Sequence, residues 1–190
     1  MLSPEDALLH RPRRVLIAGV SGVGKTTLAA RVGRMLDIPH TEIDALFHGP
    51  GWVPREEFLN DVRLLVSHET WVTEWQYSSA RRTLAENADL LVWLDLPFLT
   101  VTFPRVIRRT LRRRLKREKL WNGNIEGPLS TFFTDPEHIV RWAWSTRYKY
   151  RELIPEVESE IAHLTVLRLR SKRDIEHWLA QLQKAYADPR

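Results

Sequence analysis

The sequence contains no cysteine among its 190 residues. Disulfides and thiolate metal sites are therefore excluded, and a reducing compartment, the cytoplasm, is the expected location. Long apolar runs are lacking as well. No stretch approaches the roughly eighteen apolar residues of a transmembrane helix, so we expect no membrane partner. The residues before Val15 also lack the apolar segment of a signal peptide.

Internal repeats and low-complexity stretches are absent, and this absence favours a single domain over residues 1–190. We expect its core at about residues 13–187, with a loose tail up to about Pro12. Hydrophobic residues make up 43% of the chain and charged residues 28%, which is typical of a globular protein rather than a disordered one.

The positive charge of the chain is concentrated in one segment. The formal net charge is +5, and eight of the 29 lysines and arginines fall between Arg105 and Arg117. A basic segment can bind nucleic acid, but it can equally bind a phosphorylated small molecule. Charge alone does not separate these two partners.

Short apolar runs alternate with segments of helical periodicity along the chain. The runs predicted to form strands are Val15–Ala18, Thr41–Asp44, Trp71–Thr73, Ala88–Leu96 and Leu164–Leu169. Strands that alternate with helices indicate an α/β fold, in which right-handed crossovers join the strands of a parallel sheet.

The segment from Gly19 to Thr26 matches the pattern G-x-x-x-x-G-K-T of a phosphate-binding loop, between a predicted strand and a predicted helix. Its glycines allow positive φ, so that backbone N–H groups can surround phosphates. Lys25 is expected to reach the β- and γ-phosphates, and Thr26 to ligate Mg²⁺. The residues expected to bind the nucleotide here are Gly19, Ser21, Gly22, Val23, Gly24, Lys25, Thr26 and Thr27.

A phosphate loop occurs in kinases, GTPases and ATPase motors alike. The chain has no Asn-Lys-x-Asp motif for guanine, and 190 residues leave little room for a motor. These observations favour a small kinase.

Two carboxylates follow predicted strands. Asp44 is expected at the carboxyl end of the second strand, where parallel sheets bind ligands, and it can accept a proton from a substrate hydroxyl or hold magnesium through water. The alternative is a helix cap. Glu74, at the end of the third strand, is predicted to join Thr26 at the metal.

Three residues after Glu74 are candidates for a substrate pocket. Trp75, Tyr77 and Arg81 are predicted to line the site of the phosphoryl acceptor. The alternative is that the two aromatic residues belong to the core.

The segment from Leu99 to Arg117 has two distinct sides when it is drawn as a helix. Apolar residues form one side: Leu99, Phe103, Ile107, Leu111 and Leu115. Basic residues form the other: Arg105, Arg109, Arg112 and Lys116, flanked by Arg108 and Arg113. This stripe can stabilise a transferring phosphoryl group through Arg105 and Arg109, bind nucleic acid, or lie in solvent.

These stretches resemble the nucleoside-monophosphate-kinase-like superfamily of P-loop proteins. The chain looks closest to the bacterial adenylate-kinase-like proteins called topology-modulation proteins. The matching stretches, which cover roughly residues 13 to 183, are GVSGVGKT, EIDALFHGPGW, WVTEWQYS, ADLLVWLDLP and RLRSKRDIEHWL.

The resemblance implies a three-layer fold with helices on both faces of a five-stranded parallel sheet of order 2-3-1-4-5. It also implies ATP, Mg²⁺ and an arginine-rich helical lid at about residues 98–135. Asp44 matches the acidic position that faces the acceptor hydroxyl, and Arg105 and Arg109 resemble lid arginines. Arg147 is implied as a further phosphate contact.

The resemblance also places the adenine at Arg170 and Ser171. One departure stands out, because Glu74 and Trp75 occupy the place where relatives commonly carry Asp-Gly. The larger Trp75 should alter the acceptor pocket.

Together these observations predict an ATP- and magnesium-dependent phosphotransferase acting on a small molecule, with Lys25, Asp44, Arg105 and Arg109 as its catalytic residues. The alternative is a nucleic-acid-associated ATPase, or an ATP-binding regulatory protein, that uses the basic helix of residues 105–117. The chain is expected to be a monomer or a homodimer.

Overall fold

The protein is described from a computed structural model, which covers residues 1–116, 121–124 and 143–186. Its centre is a four-stranded sheet in the order β2-β1-β3-β4, and all three strand pairs are parallel. The strands are β1 (Arg14–Ala18), β2 (Trp71–Glu74), β3 (Leu90–Leu94) and β4 (Thr165–Leu169).

Helices connect and cover the strands. They are α1 (Lys25–Leu36), α2 (Ile43–Phe47), α3 (Phe58–Ser67), α4 (Ser78–Asn87), α5 (Phe103–Lys116), α6 (Lys149–Glu160) and α7 (Lys172–Tyr186). Single turns of other helix types lie at Pro50–Trp52, Phe98–Thr102 and Trp121–Gly123. Within the described ranges, no helix has the length and apolar character needed to cross a bilayer.

The two inner strands, β1 and β3, are buried on both faces of the sheet. Every residue of β3 is buried, as is every apolar residue of β1. Continuous runs of Val, Leu and Ile are what a parallel strand between two helical layers requires. The parallel α/β architecture predicted from the sequence is therefore confirmed.

The prediction of five strands is wrong for the described chain, which has four. The predicted second strand is reduced to a single bridge between His40 and Val72, beside β2 at the edge of the sheet. The chain then turns into α2, and the backbone N–H of Ile43 donates to Glu74 Oε2 at 3.0 Å. Because a side chain takes this donor, the ladder cannot continue, and Asp44 lies in the first turn of a helix.

The prediction of a loose N-terminal tail is also wrong. Leu2 pairs with the outer edge of β4, since its N–H donates to Val166 O at 2.7 Å and its carbonyl accepts from Arg168 N at 3.1 Å. Farther along, Leu8 O accepts a hydrogen bond from the Tyr186 hydroxyl at 2.9 Å. The first residues thus cover an otherwise open strand edge.

Candidate active site

The phosphate loop, residues 19–26, joins the carboxyl end of β1 to the N-terminus of α1. Gly19, Gly22 and Gly24 have φ values of 147°, 77° and 110°, a region that side chains rarely adopt. The loop therefore has the backbone conformation that the motif predicts. Its N–H groups and the start of α1 together favour an anion at this position.

Lys25 begins α1 and turns back over the loop, where its Nζ donates to Val20 O at 3.4 Å. Burial lowers the pKa of Lys25 to about 8, while the attraction of Asp44 and Glu74 partly opposes this shift. Arg109 is among the cations that lower it further. The ammonium group is thus held close to two carboxylates, in a position poor in water.

The lowered pKa predicts a pH dependence of nucleotide binding. Phosphates bind the charged form of Lys25, and the free protein loses this charge as pH rises through about 8. Above that pH, the affinity for ADP should fall by up to about tenfold per pH unit, because binding must then include uptake of a proton. Isothermal titration calorimetry from pH 7 to 9.5 measures this slope.

The matched control for this titration is Lys25→Arg, because a guanidinium stays charged throughout the range. Its ADP affinity should be nearly independent of pH. A wild-type affinity that is equally flat would contradict the assignment of the titration to Lys25.

Thr26 and Glu74, the predicted metal ligands, lie together. The side chain of Thr26 lies close enough to the carboxylate of Glu74 to lower its pKa, and Glu74 Oε1 also contacts His40 Nε2 at 3.4 Å. Burial acts to raise the pKa of Glu74, but the hydrogen bonds of His40, Ile43 and Thr26 outweigh it and lower the pKa. Glu74 is therefore an ionised, almost fully buried carboxylate beside the phosphate loop.

Thr26 and Glu74 suit a magnesium ion whose other ligands come from phosphate and water. No group of three His, Asp or Glu in the described residues could hold a metal by itself. Mg²⁺ in phosphate-transferring sites keeps several waters and uses only one or two carboxylates together with substrate phosphates. One hydroxyl and one carboxylate, Thr26 and Glu74, are sufficient for that arrangement.

Helix α5 packs directly on the phosphate loop. Arg105 Nη1 donates to Val23 O at 3.3 Å, and Arg109 Nη2 donates to Ser21 Oγ at 3.5 Å. Between these arginines, Val106 is fully buried against Gly22. The structure therefore brings both predicted arginines to the loop, while the part of the predicted lid at residues 117–120 and 125–135 lies outside the described residues.

Most of the predicted apolar side faces away from the loop. The exposed fraction is 63% at Leu99, in the turn before α5, and 37%, 41% and 81% at Ile107, Leu111 and Leu115 within α5. Phe103 is the exception, because it is partly buried and packs against Val106. The helical period is as predicted, but the side that packs inward is the one that carries Arg105, Val106 and Arg109.

The contact at Gly22 predicts a coupled effect on stability. A Cβ on Gly22 would lie 2.2 Å from Val106 Cγ2, and its φ of 77° is unfavourable for any side chain. Gly22→Ala should lower the free energy of unfolding by about 2–4 kcal/mol, from the left-handed backbone and overpacking combined. In a Val106→Ala background the loss should be smaller by about 1 kcal/mol, which urea unfolding of all four proteins measures.

Gly24→Ala is the control for this cycle, because its φ is 110° but no atom lies within 4 Å of the added Cβ. It should show backbone strain without coupling to Val106. Additive effects of Gly22→Ala and Val106→Ala would contradict the contact.

A second group of polar side chains lies opposite the loop, and we call it the Asp44 cluster: Asp44, His48, Gln76 and Tyr77. The Tyr77 hydroxyl donates to Asp44 Oδ1 at 2.6 Å, and Gln76 Nε2 donates to the same oxygen. His48 Nε2 lies 3.1 Å from the Tyr77 hydroxyl. Among the described residues, Asp44 Oδ2 has no hydrogen-bond donor, so one oxygen is fixed and the other remains available.

Tyr77 is held in an unusual conformation. Its φ is 53°, which is rare for an aromatic residue, and its ring stacks on Phe47 with centroids 3.8 Å apart. Burial, followed by the charge of Asp44, strongly raises the pKa of Tyr77. The phenol therefore keeps its proton and acts as a hydrogen-bond donor to Asp44.

The predicted pocket residues Trp75 and Arg81 lie behind the Asp44 cluster. Trp75 is 3% exposed, and its indole Nε1 donates to Arg81 O at 2.9 Å, so the indole packs in the core. The Arg81 guanidinium lies 5.9 Å from the Trp75 ring centroid. Its buried Nε has no hydrogen-bond partner in the part of the chain that the structure describes.

A second cation accompanies Arg81. Burial, and then the charge of Arg81, lower the pKa of Lys149 at the start of α6. The next residue, Tyr150, donates its hydroxyl to Trp75 O at 2.9 Å, and burial raises its pKa to about 12. Arg81 thus acts on Lys149, and Lys149 in turn acts on Lys25, a grouping of cations that is a favourable environment for an anion.

Arg147 lines a small cavity that also includes Val20 of the phosphate loop. Its guanidinium lies 4.7 Å from the ring centroid of Trp144 and 4.6 Å from that of Tyr148. The two aromatic rings therefore hold this predicted phosphate ligand in place.

The remaining nucleotide-binding predictions concern exposed or capping residues. Ser171 directly precedes α7, where its Oγ accepts from Asp174 N at 3.1 Å and Asp174 Oδ2 accepts from Arg170 N at 2.8 Å. This is a helix capping arrangement. Arg170 and Thr27 are exposed, and their roles towards the nucleotide stay predictions.

Sequence reasoning missed His40, His48, Gln76 and Lys149. None lies in a motif with fixed spacing, and each reaches the site only through the packing of α2, α6, the edge of β2 or the turn after β2. For His40, His48 and Gln76 the single signal was their position near Asp44 or Glu74 in the chain, which is too common to be informative. Lys149 had no such signal.

Comparison with solved structures agrees with this architecture. A shikimate kinase from Acinetobacter baumannii in complex with shikimate is 16% identical with a TM-score of 0.53, over 91% of this chain and 92% of that chain. A gluconokinase from Sinorhizobium meliloti 1021 is 18% identical with a TM-score of 0.51, over 93% and 95%. The chain therefore shares the fold of these two enzymes.

A shikimate kinase from Bacteroides thetaiotaomicron gives a similar result, with 17% identity and a TM-score of 0.50 over 92% of this chain and 98% of that chain. At these identities the likeness establishes the fold alone. No family model matches the chain, and the closer resemblance to topology-modulation proteins stays a prediction.

Proposed function

We propose that this protein is an ATP- and magnesium-dependent phosphotransferase, which moves the γ-phosphoryl group of ATP to a hydroxyl of a small-molecule acceptor. One observation carries the proposal. The carboxylate of Asp44 lies within electrostatic reach of Lys25, yet it is held by a separate cluster and keeps one oxygen available. A phosphate-binding site therefore faces a candidate proton acceptor.

Each of these residues has a separate role in the proposed reaction. An acceptor oxygen attacks the γ-phosphorus, the bond to the bridging oxygen of ADP breaks, and the proton of the attacking hydroxyl passes to Asp44. Lys25, Arg105 and Arg109 neutralise the negative charge of the transferring group. Thr26 and Glu74 would hold Mg²⁺, which would supply positive charge to stabilise the phosphates of ATP. The adenine is proposed to lie near Arg170 and Ser171.

The cations at Arg81 and Lys149 favour an acceptor that carries an anionic group. Arg81 and Lys149 lie beside each other in a half-buried position, and burial lowers the pKa of Lys149. Two partly desolvated cations are stabilised by an anion between them. Hydroxy acids and phosphorylated alcohols are therefore the first candidates, and two structural neighbours carry the names gluconokinase and shikimate kinase.

The rival functions receive less support. A nucleic-acid-associated ATPase would present the basic stripe to phosphates outside the protein, but Arg105 and Arg109 contact the phosphate loop. An ATP-binding regulatory protein would have no need for an oriented carboxylate opposite Lys25. We therefore place the phosphotransferase first.

The test is a screen for acceptor-dependent ADP formation, coupled to pyruvate kinase and lactate dehydrogenase. Each anionic acceptor is paired with a neutral analogue, for example gluconate with glucose, and nucleoside monophosphates and aminoglycosides complete the panel. We expect turnover above the rate without acceptor for at least one anionic compound, and a lower rate for its neutral partner.

Two outcomes would favour the rivals. ATP binding in a thermal-shift assay, without turnover on any acceptor, would indicate a regulatory protein. Tight binding of DNA or RNA that weakens steeply between about 50 and 200 mM salt would indicate a nucleic-acid partner for the helix.

A further inference from the structure

The turn at Trp121–Asn124 is fastened to the loop that follows α2. Asn124 is only 6% exposed, and its side chain uses both ends of its amide. Its Oδ1 accepts from Gly51 N at 2.8 Å and from Trp52 N at 3.2 Å, while its Nδ2 donates to Gly49 O at 2.9 Å. One buried side chain thus satisfies three backbone groups of a loop 72 to 75 residues away in sequence.

The backbone of the 49–52 loop requires such a partner. Gly51 and Trp52 have φ values of 70° and 64°, so two successive residues are left-handed. This conformation turns neighbouring N–H groups towards one point, where they bind an oxygen. For a residue as large as Trp52 it is a genuine outlier. The carbonyl oxygen of Asn124 occupies that point and stabilises the loop.

The same turn makes a second contact next to the Asp44 cluster. Asn122 Nδ2 donates to the carbonyl of His48, the residue that precedes the 49–52 loop. The Trp52 ring packs edge-on against the His48 imidazole, with centroids 5.0 Å apart. The position of the His48 ring therefore depends on the conformation of the loop that Asn124 holds.

From His48, hydrogen bonds continue to the carboxylate. His48 Nε2 lies 3.1 Å from the Tyr77 hydroxyl, which donates to Asp44 Oδ1 at 2.6 Å. Burial lowers the pKa of His48, although Asp44 and the Trp52 backbone act to raise it, so the neutral ring is favoured at pH 7. A contiguous path runs from Asn124 through Trp52, His48 and Tyr77 to Asp44.

We propose that Asn124 is a positioning residue, which fixes the orientation of the Asp44 carboxylate through the 49–52 loop, His48 and Tyr77. The catalytic consequence rests on the proposed phosphotransferase function, but the structural coupling does not. The path joins the segment that follows the arginine helix to the side of the site opposite the phosphate loop. Loss of the Asn124 amide should therefore disturb Asp44 without disturbing nucleotide binding.

The first measurement is hydrogen exchange by NMR in full-length wild type, Asn124→Ala, Asn124→Asp and Asn60→Ala. In Asn124→Ala, the amides of Gly51 and Trp52 should lose about 10- to 100-fold of their protection, while those of β1 are unchanged. Asn124→Asp retains an oxygen for both N–H groups and should keep most of the protection. Asn60 is exposed and serves as the matched control. Unchanged exchange at Gly51 and Trp52 in Asn124→Ala would overturn the proposal. An equal loss of amide protection in β1 would also overturn it, because the substitution would then destabilise the whole protein.

The second measurement follows Asp44 itself and needs no acceptor. In protein labelled with ¹³C at aspartate carboxylates, Asn124→Ala should shift the Asp44 resonance at pH 7, as should Tyr77→Phe, whereas Asn60→Ala should not. An Asp44 resonance that does not move in Asn124→Ala would refute the coupling.

The third measurement is kcat with the acceptor that the screen identifies. In Asn124→Ala, kcat should fall about tenfold, because a misplaced general base lowers the rate by about that factor or more. The ADP affinity should stay unchanged. A shifted Asp44 resonance with an unchanged kcat would show that Asn124 affects the conformation of Asp44 but not catalysis, and would overturn the catalytic part of the proposal. If no acceptor gives turnover, the proposed function fails while the two NMR measurements still decide the coupling.

Discussion

Lys25→Met is expected to abolish ATP-dependent phosphoryl transfer while the chain remains folded. The ammonium group lies on the phosphate loop, near Asp44 and Glu74, and no other described cation belongs to the loop itself. Removing a charge that acts on the transferring phosphoryl should lower kcat/KM by about 10³-fold or more, a loss comparable with that of an oxyanion-hole donor. Coupled ADP formation with the best acceptor measures the loss.

The same substitution should not reduce stability, because burial disfavours the charged form of Lys25 and lowers its pKa to about 8. Methionine keeps most of the side-chain length without that cost, so the melting temperature should stay the same or rise. Lys172→Met is the control, since Lys172 is exposed at the start of α7 and should retain full activity. Turnover within about tenfold of wild type in Lys25→Met would exclude the proposed mechanism.

Asp44→Asn should separate turnover from nucleotide binding. Asparagine has the same shape and still offers an oxygen to Gln76 and Tyr77, but it cannot take a proton from an acceptor hydroxyl. We expect kcat to fall about 10²- to 10⁴-fold, the range for loss of a general base. The ADP affinity from calorimetry should change by less than about threefold, since the Asp44 cluster holds no residue of the phosphate loop.

Asp37→Asn is the matched control, because Asp37 is exposed and its φ of 53° suits asparagine equally well. It should leave both quantities unchanged. If Asp44→Asn instead weakened ADP binding and left kcat intact, Asp44 would belong to the nucleotide side of the site. An unchanged kcat and an unchanged affinity would remove Asp44 from the mechanism.

Several parts of the fold were predictable because they depend on local chemistry. The apolar runs that form β1 and β3 have no other stable place than the interior of a parallel sheet. The glycines at 19, 22 and 24 permit the positive φ that the structure has. The strand on one side of the phosphate loop and the helix on the other were predicted for the same reason.

Other parts were decided by contacts between distant residues. The segment around Asp44 was predicted to be a strand, yet Glu74 takes the N–H of Ile43 and the chain becomes a helix. Leu2 had no local reason to be ordered, but the open edge of β4 supplies hydrogen bonds for it. In both places a tertiary partner outweighed a weak local preference.

By itself the sequence determined the phosphate loop, the parallel α/β class and the helical period of the arginine-rich segment, because each follows from spacing along the chain. Only the tertiary structure decided which side of that helix meets the loop. The helical periodicity of the sequence defines two faces of the helix, but it does not say what each face contacts. Val106 packs inward because Gly22 has no side chain and leaves room for it. Tertiary packing also brought Asp44, His48, Tyr77 and Asn124 into one path, since hydrogen bonds between residues so far apart in the chain depend on the packing of whole elements.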